Sequence, residues 1–427
     1  MKRWAPWLVF VLLFAVYMAN GTALPGGDTV PHRYLPLSLL CEGDLDFDEL
    51  PLGWTNEQGL MKQPYFLVRT PDGHQASTFG VLPGLLATPV FAVAKAVDPV
   101  FGWERTLHLG KLVGALLVAL SAALMVPLAR SRMGLRRSVG VALIYGLCTS
   151  AWSVNSQALW QHGAAAPLLV GGLLMLSRGQ ASAGFWLALA TVARPTNALF
   201  LLAGGFLHRK PMYAAAAAIP LAGHALYSLT MFGSVFATGQ MEAAEHLAMV
   251  KTGSPEIWRL SDGLAGVWIS PSRGLLVYSP ILALGLWGLW RDGKAWLVAI
   301  VGVMVIHGLR FDWWGGWTYG YRMVLGVVPF CIWGLVLAWE RLDKRLVLAL
   351  ALASFGVQAL GALRYDVASW NGSPDVDRHP ERLWSLTDSQ LAHYLTARDL
   401  TRPDDWLDIP DRALQVCPVS LPAGTPR

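Results

Sequence analysis

The sequence predicts an all-α fold: a polytopic membrane helical bundle of about 11 transmembrane helices, with a long first external loop containing surface-lying helices. Three observations predict it. Hydrophobic residues make up 54% of the 427 positions and charged residues only 14%, a balance foreign to soluble domains. Apolar runs recur at about the 20-residue length that crosses roughly 30 Å of hydrocarbon. These runs lack the period-2 alternation of a barrel, and backbone in lipid must satisfy its own hydrogen bonds, which leaves helices.

The elements follow in order. MKRWAPWLVFVLLFAVYMAN has the basic start and apolar core of a secretory signal. It lacks a convincing small-x-small site and other spans follow, so it is read as a retained first helix, 4–20. Further spans are placed at 107–129, 138–154, 161–177, 181–193, 196–207, 211–231, 271–290, 295–309, 321–339 and 346–363. The pair 181–193 and 196–207 is short for two full crossings. The stretch 79–97, FGVLPGLLATPVFAVAKAV, is apolar enough to span but carries two prolines. The positive-inside rule arbitrates. If 79–97 does not cross, the cytoplasmic loops hold Lys2/Arg3, Arg130/Arg132/Arg136/Arg137, Arg178, Arg209/Lys210, Arg291/Lys294 and Arg341/Lys344/Arg345. If it does, most of these clusters move outside. The segment is therefore expected to be re-entrant or surface-lying, with the N-terminus cytoplasmic and the C-terminus outside.

This layout gives a membrane domain over 1–363, in which 21–105 is the first extracytoplasmic loop, and an extracytoplasmic tail over 364–427. The net charge of +5 is accounted for by the basic cytoplasmic turns and calls for no nucleic acid. Of the four cysteines, Cys148 and Cys331 fall in apolar runs as packing residues. Cys41 and Cys417 fall in polar regions, and a disulfide between them requires a shared oxidising compartment. No cysteine spacing suits a metal.

The unusual polar stretches all land on the outer face, so chemistry or binding is expected there. Asp28 sits in a Pro/Gly-rich turn after the first helix. It can act as a base on an acceptor hydroxyl or amine, or it can cap the helix that starts near Pro31. Arg273 in SPSRG, Arg322, and Lys111 near the outer end of 107–129 are cations beside hydrocarbon, which is costly and a mark of function. Snorkelling to headgroups is the alternative for each one singly. Arginine suits phosphate because its planar fork binds two oxygens at once. Arg194 in ARPTN is a fourth such cation, or the structural connector of a tight hairpin.

The stretch FDWWGGWTYGYR, 311–322, is either an interfacial aromatic belt or a ligand site. In the second reading Gly315-Gly316 permit close approach, and Trp313, Trp314, Trp317 and Tyr319 offer flat faces to a sugar or isoprenoid. The acidic run from Glu42 to Glu49 lacks an EF-hand pattern, so no metal site is assigned. His108, His162 and His307 read as packing residues. No P-loop, GxSxG, HExxH or dinucleotide fingerprint occurs.

Together these stretches resemble the GT-C superfamily of integral-membrane glycosyltransferases, of the protein O-mannosyltransferase and lipid A aminoarabinose transferase type. Asp28, followed by Gly43-Asp44 about fifteen residues on, resembles that family's acid at the start of the first external loop. Arg33-Tyr34 echo its Arg-Tyr pair two residues late. FGVLPGLLATPVF (79–91) is similar to its proline-containing re-entrant helix. Lys111 through Arg130 is similar to its next span. SPSRGLLVYSP (270–280), WWGGWTYGYRMVLGVVPF (313–330) and HPERLW (379–384) resemble segments of bacterial members of the superfamily. Thr29 stands where the family has a second acid, and the family's first-loop lysine has no clear counterpart, Lys62 being nearest.

The resemblance implies an inverting transferase in a bacterial inner membrane. It would use a polyprenyl-phosphate sugar donor and a glycan, lipid or protein acceptor. Asp28 would be the base, and Arg273, Arg322, Lys111 and Arg33 would hold the donor phosphate. The aromatics of 313–319 and Arg194 would contact substrate. No cofactor beyond the lipid-linked donor is implied, and metal dependence is left open. Two other readings remain: a flippase for a lipid-linked saccharide, and a scaffold presenting 364–427. The absence of an internal repeat and the apolar inner halves of the spans count against the flippase.

Overall fold

The computed structural model describes residues 3–50, 54–55, 61–62, 64–242 and 260–397. A helix occupies each of the eleven stretches expected to span. Among the described residues, however, four helices are long and apolar enough to cross a membrane: Glu104–Ala129, Pro211–Phe232, Arg322–Arg341 and Lys344–Arg364. Others are shorter, such as Ala5–Met18, Ala183–Ala193 and Lys294–Gly308. Two expected spans are broken. The run 138–154 divides into Leu135–Leu147 and Ser150–Ser153, and the Thr149 hydroxyl accepts from the Ala151 N–H at 3.3 Å to start the second piece. The run 271–290 divides into Leu275–Tyr278 and Leu282–Asp292. Pro280 causes that break, since it has no N–H and drives Ser279 out of the helical region. The Ile281 N–H left over is taken up by the Ser354 hydroxyl at 3.1 Å.

The chain is an integral membrane protein by its apolar helices. Pro211–Phe232 exposes Met212, Ile219, Leu226 and Leu229, a surface that needs hydrocarbon around it. The main core gathers Trp103–Ala129 with Ala5–Met18, Leu135–Leu147 and Gln161–Ser177. The first helix is tied in by the Tyr17 hydroxyl, which donates to the Gly146 carbonyl at 3.0 Å. Leu282–Asp292 and Val328–Ala338 pack backbone against backbone. A Cβ on Gly285 would lie 2.0 Å from the Cys331 carbonyl oxygen, and one on Gly288 would lie 2.1 Å from that of Gly334. Small residues at such crossings are how membrane helices gain dispersion contact.

The first loop is not purely helical. It contains Val30–Cys41 and Leu82–Val97, which pack on one another in a second apolar cluster around Tyr34, Leu37 and Phe91. Leu82–Val97 has 16 residues, short of a spanning length. Between these helices lie two antiparallel hairpins, Trp54–Thr55 with Met61–Lys62 and Leu67–Arg69 with Gln75–Ser77. The second turns through Thr70-Pro71-Asp72-Gly73, a sequence with turn chemistry at every position. That signal was present in the sequence. Cys41 is disulfide-bonded and Cys148 and Cys331 are free and buried; Cys417 lies outside the described residues, as do Glu245, His246 and Trp406.

Residues of the tail join the main core. Trp370, Val376, Leu383 and Tyr394 are buried in it, and Gln390 donates to the Thr318 carbonyl at 2.8 Å.

His32, on Val30–Cys41, is 1% exposed, and its Nδ1 lies 3.1 Å from the Leu159 carbonyl. Burial lowers its pKa from 6.5 to about 4, against a smaller opposing pull from that carbonyl. The folded value is depressed, so His32 costs no stability above pH 6.5, where it is neutral in both states. Stability is lost as pH falls from 6.5 towards 4, by about 3 kcal/mol in all. Melting followed from pH 7.5 to pH 4 should show that loss, and His32→Gln should remove His32's own share of it, about 3 kcal/mol.

Candidate functional site

A cavity of about 580 Å³ opens where the first loop, the stretch 306–323 and the Arg194 connector meet. Its floor is Asp28, on the single helical turn Gly27–Thr29. One carboxylate oxygen accepts from Tyr65 Oη at 2.8 Å. The other accepts from Arg322 Nη1 at 2.7 Å. The two side chains of this ion pair are 14% and 9% exposed, so it sits in low dielectric, where pairing matters most. The hairpin Leu67–Arg69/Gln75–Ser77 positions Tyr65, because the Thr78 hydroxyl donates to the Tyr65 carbonyl at 3.0 Å. Desolvation, and then the Asp28 charge, push the Tyr65 phenol well above its ordinary value of 10. The phenol therefore stays protonated and acts as a donor.

The stretch 311–322 is largely buried in protein. Trp313, Trp314, Tyr319 and Tyr321 are each no more than 5% exposed, so these rings do not form a belt at lipid headgroups. Gly315 and Gly316 adopt φ of 76° and 68°, left-handed conformations that favour glycine. Their carbonyls then point to two different arginines. Arg322 Nη2 donates to Gly315 at 2.6 Å, and Arg273 Nη2 donates to Gly316 at 3.1 Å. Arg322 also stacks over the Trp160 ring, 4.6 Å from its centroid.

The structure brings Asp28, Arg322, Arg194 and Trp317 together on the cavity wall. Six other candidates lie outside the lining. Arg273 is 2% exposed and spends its guanidinium on the carbonyls of Trp314, Ser272 and Gly316 and on Asn371 Oδ1. It holds the glycine loop against the tail. Lys111 donates to Asn20 Oδ1 at 2.9 Å and Gln157 Oε1 at 2.6 Å, joining the end of the first helix to Trp103–Ala129. Arg33 is 1% exposed beside the Tyr34 ring, and burial lowers its guanidinium to about 10. Trp313 fills a niche over Gly263 and Gly266. The Trp314 indole donates to Asp377 Oδ1 at 2.6 Å, and Tyr319 Oη donates to the Val357 carbonyl at 2.7 Å. The side chain of Lys62 lies outside the described residues.

Residues not singled out from sequence complete the wall: Tyr65, Phe79, Arg310, Met323 and Asp377 among them. Arg310 forms a two-point pair with Asp312, at 2.9 and 3.2 Å. His307 also lines the cavity, and both it and His162 contact Arg194. The tail enters the site too. Trp317 Nε1 donates to Asp375 Oδ1 at 3.0 Å, so the tail fixes one wall of the cavity. Asp46, Asp48 and His74 bring potential metal-ligand atoms within 4.8 Å of one another, at a place apart from the cavity lining.

No family model matches the chain, and no curated protein matches it. Among solved structures it is similar to the archaeal oligosaccharyltransferase AglB from Archaeoglobus fulgidus, in complex with an inhibitory peptide and a dolichol-phosphate. The identity is 11% and the TM-score 0.40, over 94% of this chain and 62% of that one. The chain thus spans less than two thirds of that protein's length, and a likeness at this level carries no argument about activity.

Proposed function

We propose that the protein is a membrane glycosyltransferase that moves a sugar from a polyprenyl-phosphate donor to an extracytoplasmic acceptor, with inversion. The observation that supports this best is Asp28, aimed into the cavity by one neutral and one cationic donor. In this reading the acceptor O–H or N–H displaces Arg322 from one carboxylate oxygen and gives its proton to Asp28. The acceptor atom bonds to the anomeric carbon as the bond from that carbon to the phosphate oxygen breaks. Phosphate leaves from the opposite face with the electron pair, through an oxocarbenium-like state. The released Arg322 and the other cavity arginines stabilise the departing charge. Trp317 and Phe79 supply faces for the sugar or for the first isoprene units.

Native mass spectrometry of the gently purified protein tests this, with wild type beside Asp28→Asn. The wild type is expected to carry a polyprenyl phosphate without its sugar. The variant is expected to trap the glycosylated carrier. No carrier lipid in either sample would sink the reading.

A further inference from the structure

Among the described residues three arginines line the cavity, and two of them are neutralised in place. Arg322 pairs with Asp28 and Arg310 pairs with Asp312. A third carboxylate in the lining, Asp377, accepts from the Trp314 indole. Arg194 is different. It is 6% exposed, and among the described residues all its hydrogen-bond partners are uncharged acceptors. Nε donates to the Thr196 hydroxyl at 3.2 Å. Nη1 donates to His162 Nε2 at 2.9 Å. Nη2 donates to His307 Nε2 at 3.2 Å and to the Met323 carbonyl at 2.7 Å.

A guanidinium has five N–H donors and no acceptor. Four are used here, and the fifth, on Nη1, remains. Because a guanidinium can only donate, each imidazole must accept at Nε2 and keep its proton on Nδ1. Both rings are neutral in this arrangement. His162 comes from Gln161–Ser177, His307 from Lys294–Gly308 and Met323 from the turn beginning at Arg322, while Arg194 sits between Ala183–Ala193 and Ala198–His208. Four parts of the fold thus converge to fix one cation without cancelling its charge. A buried charge is stable only if something compensates it, and the side open to compensation is the cavity.

We propose that Arg194 is the seat of an anionic oxygen group in the cavity, a phosphate ester, and that His162 and His307 are positioning residues that present it. The transferase reading supplies only the identity of the ester as the lipid-linked donor; the seat itself follows from the geometry. Two neutral acceptors hold the guanidinium plane where a carboxylate would hold it equally well but would spend its charge. The remaining Nη1 N–H and the full positive charge then meet the phosphate oxygen, a charge-assisted bond of the stronger kind.

Binding of farnesyl phosphate to the full-length protein in detergent tests the proposal, with farnesol and inorganic phosphate as competitors. Wild type is expected to bind farnesyl phosphate and to ignore farnesol. Arg194→Gln is expected to weaken binding roughly 10- to 100-fold. His162→Ala and His307→Ala are each expected to weaken it by a smaller factor. His162→Gln and His307→Gln are expected to regain most of the loss, because the amide oxygen can accept from the guanidinium in place of Nε2.

Competition by inorganic phosphate at comparable concentration assigns the seat to a free anion. Competition only at far higher concentration assigns it to a lipid-linked phosphate. Where Arg194→Gln does not fold, Arg194→Lys serves, since a lysine keeps the charge but cannot make the four bonds; it too is expected to weaken binding at least tenfold. An unchanged Kd in the folded Arg194 variant, or histidine variants that change only the melting temperature, overturns the proposal. Transfer that persists with an unchanged Kd sinks the seat and leaves the transferase; a phosphate seat with no transfer does the reverse.

Discussion

Asp28→Asn is expected, in the transferase reading proposed above, to lower turnover by about 10²–10⁴-fold, the range a positioned general base supplies. Asparagine has the same shape and can still accept from Tyr65 Oη, so the cavity keeps its walls. It cannot take a proton from the acceptor. The same change also leaves Arg322 buried opposite a neutral amide, and losing one partner of a buried pair costs about 3–5 kcal/mol. A lower melting temperature would therefore accompany the lost activity and confuse the result. Asp28→Asn with Arg322→Gln, read beside Arg322→Gln alone because Arg322 also faces the leaving phosphate, separates the two effects. The double variant should recover much of the stability, since no uncompensated charge remains, and none of the turnover. A double variant that turns over at the wild-type rate would remove Asp28 from the chemistry.

Gly285→Leu is expected to prevent assembly altogether. A Cβ there would lie 2.0 Å from a backbone carbonyl oxygen of the facing helix, and backbone cannot rotate away as a side chain can. Ordinary overpacking costs about 1–3 kcal/mol because neighbouring side chains yield. Here the two helices would have to separate along their length, and the neighbouring contact of Gly288 with Gly334 would be lost with them. The control is Gly356→Leu on Lys344–Arg364, where a Cβ would meet nothing within 4 Å. That variant should fold, since leucine is the better helix former. Size-exclusion chromatography of the two expressed proteins compares them directly, and a monodisperse Gly285→Leu peak would refute the close crossing.

Helix positions were legible in the sequence because apolar runs report them locally. Breaks at Ser279-Pro280 and Thr149 were less so, since hydropathy averages over a turn that one residue decides. The hairpin Leu67–Arg69/Gln75–Ser77 was legible in its turn, but its strands are too short to show alternation. Among the candidate cations, charge beside apolar sequence marks Arg273, Lys111 and Arg194 alike, though only Arg194 lines the cavity. What each one faces is set by tertiary packing. Arg273 meets carbonyls, Lys111 meets amides, and Arg194 meets two imidazoles. His162 and His307 look like packing residues singly, because the arginine that joins them lies 32 positions from one and 113 from the other. Tyr65 carries no signal at all until the hairpin turns it towards Asp28.

The Asp28–Arg322 pair joins residues 294 positions apart. Translation proceeds at roughly 5–20 residues per second, so Asp28 is made roughly 15–60 s before its partner. Through that interval the nascent carboxylate has water for company, and a turn rich in proline and glycine at the end of the first helix is suited to keeping it there. The tail residues Asp375 and Asp377, which fix the indoles of Trp317 and Trp314, arrive later still. A ribosome-bound chain therefore carries its acid in view but has no chamber around it, and the cavity closes only after Asp375 and Asp377 have been made.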